Sequence, residues 1–123
     1  MAEILRFDTS RLVHEAIEDA VLVIDIGAGC CFALDGGAAV LWPSLLTGNT
    51  REGLLRYAEG AFDAPAQVVR PAADAFLTAL LQHGVLVWGQ GPQNFAVPAQ
   101  KHPFEEPRVK RYDDLDELLR TED

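Results

Sequence analysis

The side chains of this chain with the most chemical potential are His14, His83, His102, Ser10, Ser44, the adjacent pair Cys30-Cys31, and carboxylate pairs such as Glu18-Asp19. Such residues could ligate a metal, activate a nucleophile or carry redox chemistry. Their spacing supports none of these. The histidines fall on a predicted strand, a helix end and a linker, outside any metal-ligand pattern. Neither serine lies in a strand-turn-helix context that would sharpen it as a nucleophile. Neighbouring residues of a strand point to opposite faces, so Cys30 and Cys31 cannot easily bond to each other or chelate as CxxC pairs do. Gly27-Ala28-Gly29 follows one strand and precedes another, so it offers no helix N-terminus to a phosphate. Glu18 and Asp19 suit a solvated turn. The expectation is a non-enzyme that needs no cofactor and no metal.

The elements that would carry these residues are easier to read. Leu12–Ile17 alternates as a half-buried strand, and Val21–Ile26 is a dense β-branched run suited to a central strand. Gly27-Ala28-Gly29 reverses the chain into Cys30–Leu34, with Cys30, Phe32 and Leu34 toward the core. Asp35-Gly36-Gly37 closes the sheet. Three helical stretches follow. The first, bent or shortened by Pro43, ends at Thr47-Gly48-Asn49. The second begins at Thr50 as N-cap. The third follows Asp63-Ala64-Pro65, with Pro71 placing its ordered start nearer Arg70, and stops at Gly84. Gly84–Trp88 is a last apolar strand. This order predicts an α+β, winged helix-turn-helix-like fold: a three-stranded antiparallel meander, then three helices. One strand edge, Cys30–Leu34, is left unpaired beside a helix and can accept a peptide as an added strand.

The domain expectations are an N-terminal arm over 1–10, a recognition domain over 11–88, a flexible linker over 89–103 and a tail over 104–123. Net charge is −9. Residues 1–100 hold 11 acidic and 5 basic side chains, and residues 101–123 hold 8 and 5. Both parts repel phosphate backbones, so nucleic acid is not an expected partner. No apolar run is long enough to span a membrane and no secretory signal opens the chain, which makes cytoplasm the expected location.

Val13-His14-Glu15, Val21-Leu22-Val23-Ile24-Asp25, Cys31-Phe32-Ala33-Leu34-Asp35, Gly37-Ala38-Ala39-Val40-Leu41-Trp42, Thr50-Arg51-Glu52, Phe76-Leu77, Leu80-Leu81 and Gly84-Val85-Leu86 follow one another in an order that resembles the PqqD family. These are small peptide chaperones that serve as recognition elements in the modification of ribosomally made peptides. The resemblance covers about two-thirds of the chain; Pro43 and Pro71 depart from its helical pattern. It implies a winged-helix-like domain that binds the leader segment of a precursor peptide as a strand on the third strand, packed against the third helix. A peptide-modifying enzyme or leader protease is then a second partner. On helical phase, Arg70, Ala73, Asp74, Leu77 and Leu81 line the groove with Cys30, Cys31, Phe32, Ala33 and Leu34, while Phe76 and Leu80 turn to the core. Arg70 and Asp74, one turn apart, could instead pair with each other on a solvated face.

The tail adds a second resemblance. Phe104, Pro107, Val109, Tyr112 and Leu115, followed by Thr121, look like a lasso-type leader peptide, with Phe104 in place of tyrosine and Asp113 in place of glycine. Three readings stay open: a pseudo-leader, a surface helix over Asp113–Arg120 docked by Phe104 and Pro107, and disorder. About fifteen linker residues span roughly 20 Å as a coil, so the tail can reach the groove. It would occupy that groove in cis, or in a second copy as a swapped homodimer. Two alternatives come from other classes: a winged-helix DNA-binding protein, and a scaffold or dimerisation domain that recruits an enzyme without touching peptide.

Overall fold

In the computed structural model, which describes residues 2–93 and 98–113, the elements run β1 (Ala2–Phe7), β2 (Leu12–Ile17), β3 (Ala20–Asp25), β4 (Cys30–Asp35), α1 (Ala38–Thr47), α2 (Arg51–Ala61), β5 (Phe62–Asp63), α3 (Ala66–Gln82), β6 (Leu86–Gly91), β7 (His102–Pro103) and β8 (Arg108–Tyr112). The expected mixed α+β class holds. The sheet, however, has four strands rather than three, in the order β2-β3-β4-β8, each pair antiparallel. Alternation in β3 sets its faces: Val21, Val23 and Asp25 are buried beneath the helices, whereas Leu22 and Ile24 are half-buried on the opposite face.

Two further corrections concern the ends of the domain. Residues 2–7, expected as a loose arm, form β1, because Ile4, Leu5 and Phe7 have core to bury into. β1 pairs antiparallel with β6, placing Leu5 opposite Trp88 and Phe7 opposite Leu86. Leu5 also exchanges two backbone hydrogen bonds with Asn49, at 2.8 and 3.1 Å. The expected linker begins inside β6, and its last two residues, His102–Pro103, lie parallel to Phe62–Asp63.

Local chemistry explains the helices. Thr50 caps α2 by accepting from the Gly53 amide at 3.0 Å, and Asn49 accepts from the Thr50 amide at 2.7 Å. Such caps contribute about 1 kcal/mol. Pro71 neither delays nor breaks α3, since the amides of Val68 and Val69 already close the first turn on the Pro65 carbonyl at 2.9 and 3.1 Å. Gly84, at φ 75°, ends that helix, and Val85 returns an amide to the Leu80 carbonyl at 2.9 Å. Val23, Phe32, Leu34, Leu41, Leu45 and Leu80 form the centre of the core, between the sheet and the helices. Among the described residues no helix is long and apolar enough to cross a membrane.

Candidate functional site

The β4 edge, expected to be vacant, carries a strand of the chain's own tail. β8 lies antiparallel on it, from Asp35 opposite Arg108 to Cys31 opposite Tyr112. An open row of amides and carbonyls beside an apolar helix is readily paired by any extended segment held nearby, and a short tether keeps this one at high local concentration. The segment suits the position. Val109 stands opposite Leu34 and is half-buried against the core, and Pro107 and Tyr112 are buried. Tyr112 shares the face opposite Val109 with Lys110, whose Nζ lies 5.2 Å from the Tyr112 ring centroid. The Arg108–Asp35 pair, at 2.9 Å, is mostly exposed, so it fixes register more than it stabilises. Arg111 bonds Asp113 at 2.5 Å, and that carboxylate, with a smaller contribution from Cys30, raises the guanidinium pKa further.

Upstream of β8 the tail crosses the corner between β4 and α1. There Gly36 takes φ 64°, and the Gly37 amide points at the Glu106 carbonyl at 3.4 Å. Phe104 meets the buried Phe62 ring edge-on, with centroids 5.4 Å apart. Four residues of the leader-like pattern therefore line one side of the domain: Phe104, Pro107, Val109 and Tyr112. Leu115 and Thr121, and most of the expected helix over Asp113–Arg120, lie outside the described residues.

The helix wall differs from its expected phase. A depression of about 490 Å³ separates α3 from the tail, and α3 lines it with Ala72, Ala75, Phe76 and Ala79. The five residues assigned to the groove from sequence sit elsewhere on the helix. Ala73 and Leu77 are buried in the core, and Leu81 packs against it half-buried. Arg70 forms ion pairs with Glu59, at 2.6 Å, and with Glu52, both on α2. Asp74 accepts from Arg51 at 2.8 Å, so Arg70 and Asp74 are each held by α2 and not by each other. Hydrogen bonding to Arg70 lowers the Glu52 pKa, and Glu52 followed by Glu59 raises that of Arg70. Phe76 and Leu80 are buried, and Phe76 also reaches the depression. The other α3 residues that line the depression are small ones at i, i+3 and i+7, which leave room for a backbone, whereas the stripe assigned from helical phase lies on the core and α2 sides of the helix.

The other candidate groups stay apart. His14 packs on Phe7 and Trp42 at 5.1 and 5.4 Å, and His83 on Phe32 at 5.2 Å. Cys30 and Cys31 are both buried, and neither is in a disulfide among the described residues. Among the described residues no three His, Cys, Asp or Glu side chains converge as a metal site.

A family model described as Coenzyme PQQ synthesis protein D (PqqD) matches residues 20–86. No curated protein and no solved structure matches the chain. The matched span contains β4 and α3, and leaves β8 outside it.

Proposed function

Because the chain belongs to the PqqD family, we propose that it is a non-catalytic peptide chaperone for a ribosomally made precursor. Membership itself supports a peptide-binding accessory role. The finer reading is that the precursor's leader adds as a strand to β4, against α3, and is presented there to a modifying enzyme or leader protease. The winged-helix-like description is part of that reading. One observation carries it: the edge pairs with an extended segment from Arg108 to Tyr112, beside a helix wall of small residues. The tail is then a pseudo-leader that a precursor has to displace, in cis or by exchange between two copies. DNA binding is disfavoured by the net charge of −9 and by the engagement of Arg70 with Glu52 and Glu59.

The test is competition at the edge. Unlabelled peptide with the sequence of residues 104–113 is added to ¹⁵N-labelled full-length protein. Movement of the Arg108–Tyr112 resonances toward free-peptide positions is the expected result, with the Cys30–Asp35 amides nearly unmoved because the incoming strand has the same sequence. Shifts elsewhere, with the tail signals unmoved at saturating peptide, would reject strand exchange on β4.

A further inference from the structure

We infer that Gly36-Gly37 is a gate that reads the main chain of any strand on β4, and that a side chain at position 37 closes the edge to tail and incoming peptide alike. For the incoming peptide this rests on the strand-addition reading above; for the tail it stands on geometry alone.

β4 ends at Asp35 and α1 begins at Ala38, so the chain turns a corner in two residues. The tail passes directly over that corner. A methyl group on Gly36 would overlap the Glu106 carbonyl oxygen and stand 3.3 Å from its carbon. One on Gly37 would overlap the Glu105 carbonyl oxygen and lie 2.7 Å from Cζ of Phe62. The two glycines have different reasons to be there. Gly36, at φ 64°, is demanded by its own turn. Gly37 has φ −69° and ψ −5°, an ordinary right-handed conformation that alanine adopts without strain. The dihedral angles at 37 therefore do not require glycine. The neighbouring carbonyls and the Phe62 ring do.

Two successive carbonyls of the visiting strand, those of Glu105 and Glu106, face the two missing side chains, and the Gly37 amide points at the second. A side chain at 37 would lift the strand off the corner and take Pro107 out of its buried position. The gate thus selects on closeness of main chain and is indifferent to whether the strand comes from this chain or another.

The experiment uses full-length protein and native-state thiol labelling, since Cys30 and Cys31 are buried on the strand that β8 covers. Gly37→Ala is expected to label at least tenfold faster than the wild type, with unchanged helical circular dichroism. Gly60→Ala, where the nearest outside atom is 3.5 Å away, is the control and labels at the wild-type rate. A Gly37→Ala rate equal to wild type overturns the gate. Should Gly37→Ala lose its helical signal, Phe62→Leu with and without Gly37→Ala removes the ring contact and decides the same comparison.

A second arm titrates fluorescent peptide of residues 104–113 into Val109→Asp, which weakens the tail's own hold, and into Val109→Asp/Gly37→Ala. Binding at least tenfold weaker to the double variant is expected, and equal binding overturns the inference for incoming peptides. Failure to bind even Val109→Asp rejects strand addition in trans, while the labelling arm still decides the gate.

Discussion

Phe104→Ala isolates the docking of the tail from the stability of the domain. The ring is half-buried and meets Phe62 edge-on at 5.4 Å. Losing a half-buried phenyl group removes about 1 kcal/mol of transfer free energy, from the roughly 25 cal/mol per Å² that apolar burial contributes. The aromatic pair adds about 0.5–1.5 kcal/mol. Together the change is about 2 kcal/mol, or roughly 30-fold in the docked-to-released ratio of the tail, at 1.4 kcal/mol per factor of ten. β8 lies at the sheet edge, so its release is a local opening rather than global unfolding. Native-state hydrogen exchange reads this directly. Amides of Arg108–Tyr112, and those of β4 that face β8, should exchange roughly 10–30 times faster, while those of β3 and the centre of α2 keep their wild-type protection. Equal acceleration throughout the domain would refute the reasoning, because Phe104 would then belong to the global core. No acceleration at β8 would refute it equally, because the tail's hold would not depend on that ring.

Three further outcomes follow from the same structure. Thr50→Ala removes the hydroxyl that accepts from Gly53 and should lower unfolding free energy by about 1 kcal/mol, seen as a lower urea midpoint with an unchanged slope. Gly48→Ala meets both a φ of 82° and the Arg6 Cβ at 3.0 Å, so calorimetry should show a loss of at least about 1 kcal/mol. In Arg70→Met the titration of Glu52, followed by NMR, should move up toward the ordinary glutamate range, because the hydrogen bond that lowers it is gone. The sign for stability follows: Glu52's contribution in the wild type is complete above its unfolded pKa and fades as pH falls through the lower folded value. A Glu52 midpoint unmoved by Arg70→Met would exclude the pairing.

The glycine corner joins these predictions to function. On the proposed reading the tail strand must be able to leave β4, and it is held by few large contacts: Phe104, Pro107, Val109 and Tyr112, with surface ion pairs worth little. With a tether that supplies an effective concentration of about a millimolar, a precursor competes only if its leader binds more tightly than the tail or is delivered at high local concentration by its own partner. The proposed chaperone would in this way reject weak peptides without any catalytic step.

What the residues determined on their own is local. The β-branched run over Val21–Ile24, the reversal at Gly27-Ala28-Gly29, the cap at Thr50 and the stop at Gly84 each act through contacts a few positions away, so composition and spacing sufficed to place them. The pairing of β1 with β6 and of β8 with β4 was decided only in three dimensions. A segment such as Arg108–Tyr112 has too little apolar surface to hold a strand alone, and its extended form is stabilised by a partner lying over seventy positions away in the chain. The side of α3 that faces the tail was likewise settled by tertiary packing. Val69, Ala73, Phe76, Leu77 and Leu80 bury one face of α3 in the core, which leaves Arg70 and Asp74 beside α2, where they pair with Glu52, Glu59 and Arg51, and Ala72, Ala75 and Ala79 beside the added strand. Helical periodicity assigns residues to a common stripe; only the neighbours that compete for that stripe decide which way it turns.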